Sequence, residues 1–361
     1  MKQTSLENPL DRAFRFAARL NARLPVFMAP MSGASPVALA AAAANAGGMG
    51  ACGALTMTPT EIVSWADAFR KQSDGPFQIN LWVPDPPPVR DAAAEERQRE
   101  FLRAWGPEVP ADAGDAPLQN FAAQCRALIE AKPAAVSSIM GVFPPAFVAE
   151  MKAHGILWFA TVTTTEEARA AEAAGADVIV AQGAEAGGHR GAFHSAKAET
   201  EAVGLFALLP QVCDAVSLPV IATGGISDGR GIAAALVLGA SAVQIGTGLL
   251  RSPEAGVHPA YADRIAQTEA HQTRLTRAFS GRAGRAIRTR YVEAAASSDA
   301  PATAPYPVQR SLTRFMKEEA RVQNDAERMQ LWAGQAAPLA KALPVATLLQ
   351  SWWGDAQSLL G

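Results

Sequence analysis

Cysteine is scarce in this chain: Cys52, Cys125 and Cys213 are the only three among 361 residues. They are far apart, lack the spacing of metal ligands and lie in or beside apolar runs. We interpret them as buried thiols rather than as disulfides or ligands. The histidines outside the glycine-rich segment described below show no partner pattern either, so the sequence predicts no metal site.

Excess charge and long apolar runs are also missing. The formal net charge is -2, which favours neither a nucleic-acid surface nor an anionic membrane. The longest apolar stretch, 36–46, is too short and alanine-rich to span a bilayer. Glu7 and Asp11 interrupt the N-terminal segment, which makes it a poor signal peptide. We therefore expect a cytoplasmic enzyme that binds neither nucleic acid nor membrane.

Short apolar runs alternate with alanine-rich helical segments along most of the chain. Each run is almost continuously hydrophobic, as is typical of strands that are covered on both faces. The predicted strands are 25–30, 48–55, 77–83, 134–140, 156–161, 177–182, 219–224 and 242–247. Eight strands alternating with helices predict a (β/α)8 TIM barrel, with a doubly wound open sheet as the alternative.

The alternation also suggests how the domains are arranged. We predict a barrel over 1–265, with a helical insertion at about 84–117 that contains a helix near Ala92–Trp105. A smaller α/β domain over 266–340 would cap the barrel, with helices near Arg310–Gln323 and Ala326–Ala333. The tail, 341–361, would pack back on the barrel.

Glycine-rich segments follow three of the predicted strands. "GAEAGGHRGAF" follows the sixth strand and carries His189, at the end of the barrel where functional groups lie. Gly224 and Gly225 follow the seventh strand, and Gly246 and Thr247 follow the eighth. Loops after the last two strands, with a helix N-terminus nearby, are the usual phosphate site of this fold. Judged from this segment alone, His189 could also be a solvated residue in a glycine-rich turn.

The motifs "APMSG" (29–33), "AQGAEAGGHRG" (181–191), "ATGGISDGRG" (222–231), "QIGTG" (244–248) and "TRAFSGRAGRAIRTRYV" (276–292) resemble the nitronate monooxygenase family, formerly called nitropropane dioxygenases. The resemblance covers most of the chain. It implies a barrel that binds FMN without a covalent bond, beneath a smaller α/β domain.

The resemblance also implies a role for individual residues. His189 matches the catalytic histidine, and Tyr306 lies in a loop from which family tyrosines reach the substrate. The positions that match the FMN site are Ala29, Pro30, Met31, Asn80, Gln182, Gly187, Gly224, Gly225, Gln244, Gly246 and Thr247. Amides suit the edge of the flavin ring, and backbone N–H groups suit its phosphate.

Structural readings of some residues remain open. Asn80 could satisfy a strand end, and Met31 could be ordinary core filler. Six arginines lie between 274 and 290 without the stacking aromatic residues of a nucleic-acid site. We expect them to form salt bridges at the barrel rim and to attract anionic ligands.

The leading functional hypothesis is oxidation of alkyl nitronates by FMN and O2 to carbonyl compounds and nitrite. With a pKa close to that of free histidine, His189 could also remove the α-proton of a neutral nitroalkane. An FMN-dependent NAD(P)H oxidoreductase, such as a flavin-type enoyl-acyl-carrier-protein reductase or a quinone reductase, is the alternative enzyme. A flavin-storage protein is a third reading. An aldolase barrel is disfavoured because no lysine ends a predicted strand. No pattern in the chain indicates the oligomeric state.

Overall fold

The computed structural model describes residues 7–361, and its strands form one eight-stranded and one three-stranded sheet. Residues 1–6, which begin the range predicted for the barrel and the segment judged a poor signal peptide, lie outside the described residues. The strands are β1 (Val26–Met28), β2 (Gly50–Gly53), β3 (Phe77–Trp82), β4 (Ala135–Ile139), β5 (Leu157–Val162), β6 (Val178–Gln182), β7 (Gly188–His189), β8 (Val220–Thr223), β9 (Ala242–Ile245), β10 (Thr273–Thr276) and β11 (Gly284–Ile287).

Helices follow most of the strands. They are α1 (Pro9–Arg19), α2 (Val37–Asn45), α3 (Pro59–Arg70), α4 (Ala92–Arg103), α5 (Phe121–Ala131), α6 (Pro145–Ala153), α7 (Thr165–Ala173), α8 (Leu205–Ala215), α9 (Gly229–Val237), α10 (Pro259–Gln267), α11 (Arg290–Ala294), α12 (Val308–Leu312), α13 (Arg314–Val322) and α14 (Val345–Leu360).

The larger sheet is parallel and closes on itself. Its strand order is β1-β9-β8-β6-β5-β4-β3-β2. The two ends meet where Phe27 forms a parallel bridge with Met49, and the N–H of Met28 donates to the carbonyl of Met49 at 2.9 Å. The predicted (β/α)8 barrel is therefore confirmed, and the open-sheet alternative is wrong. All eight predicted strands are present.

The barrel core explains the continuous hydrophobicity of its strands. One side of each strand faces the surrounding helices, while the other faces the lumen. At the amino ends of the strands, Phe16 and Leu20 from the α1 region pack with the lumen residues Phe27, Phe159 and Ile221. This packing fills the lower lumen and leaves the carboxyl ends of the strands for a ligand site.

The smaller sheet consists of β10, β11 and β7, all antiparallel. Its middle strand, β11, pairs with the loop that leaves β6, with Gly284 opposite His189. The core beside this sheet contains Phe279 and Tyr291, and also Leu102 and Val109 from the insertion at 84–117. The predicted insertion helix is confirmed as α4. We refer to 266–340 as the cap, and its boundaries stay a prediction.

One predicted helix, near Ala326–Ala333, is wrong. The chain there is not helical: the N–H of Ile287 donates to the carbonyl of Leu331 at 2.9 Å, and Trp332 forms an antiparallel bridge with Ala286. Met329, Leu331 and Ala333 are all buried. This alternation with a period of two is typical of extended chain beside a sheet.

The C-terminal helix α14 packs against α9 and α2 on the outside of the barrel. Leu349 is 1% exposed there, whereas Leu359 on the same helix is 59% exposed.

We expect Leu349→Ala to lower the free energy of unfolding by about 2–5 kcal/mol, since the substitution removes buried methyl groups and leaves a cavity. Leu359→Ala is the matched control and should change it by less than about 0.5 kcal/mol. Chemical denaturation of the two variants makes the comparison. Equal losses would show that α14 is not anchored through Leu349.

Candidate functional site

A cavity of about 430 Å³ opens at the carboxyl ends of the barrel strands. This volume is in the range of pockets that hold cofactors and small molecules. Eleven predicted cofactor residues and the predicted catalytic residue line it together. They are Ala29, Pro30, Met31, Asn80, Gln182, Gly187, His189, Gly224, Gly225, Gln244, Gly246 and Thr247.

Tyr306 is the one predicted site residue that does not line this cavity. It is buried behind Trp82, and the centroids of the two rings are 5.4 Å apart. Its hydroxyl is buried and has no hydrogen-bond partner among residues 7–361. Burial raises the pKa of this phenol. Trp82, rather than Tyr306, forms the cavity wall here.

His189 enters the cavity because its backbone pairs with the cap. Its Nε2 lies 2.7 Å from the Oγ of Ser280, which is itself buried and lines the cavity. The Oγ of Ser280 also lies 3.1 Å from the carbonyl of Arg282, so its single proton can serve either acceptor. Both neutral tautomers of the imidazole are compatible with these contacts.

The surroundings of His189 keep its imidazole neutral. Burial lowers the pKa to about 3, with further lowering by the positive charges of Arg282, Lys317 and Arg310. The shift expected from the sequence was modest, and that expectation is wrong. Removal from water penalises the charged form, and the three cations act in the same direction.

Gln182 is committed to the loop that carries His189. Its Nε2 donates to the carbonyl of His189 at 3.0 Å, and its Oε1 accepts from the N–H of Gly191 at 2.8 Å. Buried Arg190 donates to the carbonyls of Gln182 and Gly183 at 3.1 and 2.7 Å. These bonds fix the shape of the loop, which leaves one N–H of the Gln182 amide for a ligand.

The other two predicted amides keep unused polar atoms. Asn80 donates from Nδ2 to the carbonyl and the Oγ of Ser137, both at 3.1 Å, so its Oδ1 remains as an acceptor. Gln244 has a buried Nε2 with no partner in the part of the chain described. A buried amide donor without a partner is costly, and a ligand acceptor in the cavity would satisfy it.

Two predicted cofactor positions also connect the cap to the barrel. A Cβ on Gly187 would lie 2.5 Å from the backbone nitrogen of Gly334, so only glycine permits this close approach. The hydroxyl of Thr247 accepts from that same Gly334 N–H at 3.0 Å. Next to it, the N–H of Gln335 donates to the carbonyl of Glu185 at 2.9 Å. Thr247 therefore retains its O–H as the donor for a ligand.

Most of the arginines between 274 and 290 form ion pairs or hydrogen bonds with other residues of the protein. Arg277 pairs with Glu199, Arg282 with Asp85 and Arg288 with Glu293, each at 2.8 Å. These pairs confirm the expected salt bridges. The cationic groups that line the cavity are instead Arg310 and Lys317, from the second half of the cap.

The family model for nitronate monooxygenase matches residues 16–354. The chain belongs to the nitronate monooxygenase family. It is 38% identical over 342 residues to the nitronate monooxygenase of Pseudomonas aeruginosa, covering 93% of this chain and 97% of that protein. It is 36% identical over 328 residues to the probable nitronate monooxygenase of Bacillus subtilis, covering 89% and 92% of the two chains.

A solved structure, nitroalkane oxidase from Streptomyces ansochromogenes, matches with a TM-score of 0.86 and 34% identity, over 96% of this chain and all of that one. FabK from Thermotoga maritima matches with a TM-score of 0.74 and 29% identity, over 96% of each chain. The predicted family and the predicted enzyme class, a nitronate monooxygenase, are therefore confirmed.

Residues 7–361 contain neither a membrane-spanning helix nor a cluster of metal ligands. No helix there is both long enough and apolar enough to cross a membrane. No group of three or more His, Cys, Asp or Glu side chains in that range could hold a metal ion.

Sequence reasoning missed several residues of this nitronate monooxygenase site. Trp82 could have been predicted from the sequence, because Asn80 and Trp82 are two residues apart on β3 and must share its lumen face. No sequence pattern predicted Ser280, Lys317 or Trp332, since they reach the cavity only through the fold of the cap.

We expect the lowered pKa of His189 to make folding less favourable in acid. In the unfolded chain His189 titrates near 6.5 and binds a proton below that pH, whereas in the folded protein it stays neutral. The free energy of unfolding therefore falls as the pH drops below about 6.5. Between about pH 7.5 and 5, the parent should lose on the order of 1–2 kcal/mol relative to His189→Asn. Urea denaturation at each pH gives the two curves. Parallel curves would contradict a depressed pKa.

Proposed function

We propose that the protein binds FMN and oxidises alkyl nitronates with O2 to carbonyl compounds and nitrite. The observation that carries the proposal is a cavity that joins a neutral His189 to the cationic side chains of Arg310 and Lys317, while no Asp or Glu is among its described lining residues. The family match supports oxidation of nitronates.

The charge of the cavity suits an anionic substrate. Within residues 7–361, neither Arg310 nor Lys317 forms an ion pair, although both line the cavity. Burial and the charge of Arg310 lower the pKa of Lys317 to about 7. A bound nitronate would favour the charged form of Lys317, since an opposite charge at close range raises the pKa of an amine.

The donor set fits FMN. Nitronate monooxygenases are flavin-dependent in general. Asn80 Oδ1 and Gln244 Nε2 would bind the polar edge of the ring, beside Ala29, Pro30 and Met31. The loops at 224–225 and 246–247 would hold the phosphate, and Gly224 and Gly225 have φ values of 109° and 70° that favour glycine. When bound, FMN supplies the electron transfer between the nitronate and oxygen.

His189 would orient the substrate. When Nε2 accepts from the Ser280 hydroxyl, the neutral imidazole carries its N–H on Nδ1, which would donate to a nitronate oxygen. An imidazole whose conjugate acid has a pKa of about 3 is a weak base for removing an α-proton at neutral pH. The site therefore favours preformed nitronates over neutral nitroalkanes. Tyr306 would affect the substrate only through Trp82.

We expect His189→Asn to lower kcat/KM for a preformed nitronate by about 10- to 100-fold, because the substituted amide cannot reach the same position. The parent should turn over the neutral nitroalkane far more slowly than its nitronate. Steady-state oxygen consumption with each form measures both effects. Rapid turnover of the neutral nitroalkane that His189→Asn nearly abolishes, while turnover of the preformed nitronate falls much less, would instead show that His189 is a base.

We also expect the purified protein to be yellow and to release FMN, not FAD, on heating. Gly246→Ala should weaken FMN binding by about tenfold or more, because the new Cβ would lie 3.3 Å from the Sδ of Met31 and push that side chain into the cavity. Gly354→Ala is the matched control, since its Cβ meets nothing within 4 Å. Flavin fluorescence titration of the apoprotein measures the affinity.

Anaerobic mixing separates this proposal from the alternative enzyme. Nitronate should bleach the flavin absorbance rapidly, and NADH or NADPH should not. Rapid bleaching by a nicotinamide, without bleaching by nitronate, would favour an FMN-dependent NAD(P)H oxidoreductase instead.

A further inference from the structure

A row of five aromatic rings runs from Tyr306 to Phe279, and its three central rings line the cavity. In spatial order the rings belong to Tyr306, Trp82, His189, Trp332 and Phe279. Successive ring centroids are 5.4, 4.7, 4.8 and 5.5 Å apart. The imidazole of His189 is the central ring of the row and contacts both indoles.

Each indole is fixed by a contact away from His189. Trp82 ends β3, where it pairs with Ile139, and Tyr306 covers its other side. Trp332 is held through its backbone, which forms a bridge with Ala286 and accepts a hydrogen bond from the hydroxyl of Tyr261. One indole therefore belongs to the barrel and the other to the cap.

We propose that Trp82 and Trp332 are positioning residues, which hold the imidazole of His189 between them and keep water away from it. The proposal rests on the proposed role of His189 in orienting the nitronate. Together with the contact between Nε2 and Ser280 at 2.7 Å, the two rings restrict rotation of the imidazole. Such restriction keeps the imidazole in the geometry that turnover requires.

The charges around His189 must be separated from the effect of the rings. Arg282, which is paired with Asp85, faces His189 from the turn between β10 and β11, and Arg310 and Lys317 face it from α12 and α13. The phenol of Tyr306 lies behind Trp82. We expect substitution of an indole to leave these charged groups in place and to admit water, so that desolvation is the only cause of the low pKa that changes.

The test compares Trp332→Leu and Trp82→Leu with the parent. We expect both variants to keep FMN, to lose about 10- to 100-fold in kcat for a preformed nitronate, and to change less in KM. In ¹⁵N NMR of the FMN-loaded protein, the pKa of His189 should rise by one unit or more towards the ordinary value. Comparison with His189→Asn identifies its signals.

Matched variants separate positioning from general damage. Trp332→Phe and Trp82→Phe retain a ring and should recover much of kcat and of the low pKa. Trp353→Leu removes a buried indole from α14, where it packs on Phe14, and should leave the His189 titration unchanged. Lys317→Met identifies any ionisation near pH 7 that belongs to Lys317.

An unchanged His189 titration in both leucine variants would overturn the proposal, even if activity falls, because the indoles would then serve packing alone. Failure of the proposed function gives a different result. In that case the parent itself would not oxidise nitronates, while the NMR titrations of parent and variants would still report whether the indoles shield His189.

Discussion

The site depends on one backbone pairing, between Gly284 in the cap and His189 in the loop after β6. A glycine-rich loop has little structure of its own, since each glycine loses much conformational freedom on folding. Antiparallel pairing with β11 supplies the missing order. Arg190 and Gln182 support it from the barrel side with hydrogen bonds to the same loop. The imidazole is thus held between the cap and the barrel rather than by either one.

The barrel was predictable because its physical signals are local. Strands buried on both faces read as continuous apolar runs, and all eight predicted strands are present. The carboxyl ends of parallel strands must meet at one end of the barrel. For this reason, residues as distant in sequence as His189 and Gly246 could be assigned to one end of the barrel from their positions alone, whereas Asn80 was assigned through the family resemblance.

The cap was less predictable because its residues act through distant partners. Met329, Leu331 and Ala333 alternate with a period of two, but only the presence of β11 decides that the segment is extended. Trp332 and Lys317 reach the cavity by the same route. The low pKa of His189 depends first on its burial and then on the charges of Arg282, Lys317 and Arg310, which lie about 90 to 130 positions further along the chain. A sequence window around His189 contains none of these groups.

The close contact between Gly187 and Gly334 has a consequence for how ligands enter and leave. The cap cannot swing away from the barrel without breaking the bonds from Gly334 to Thr247 and from Gln335 to Glu185, as well as the pairing at His189. The cavity is therefore assembled before any ligand arrives, which spares binding the entropy cost of ordering a lid. The motions left to the cavity wall are rotamer changes of long side chains such as Lys317 and Arg310, which occur on the nanosecond scale rather than the microsecond scale of domains.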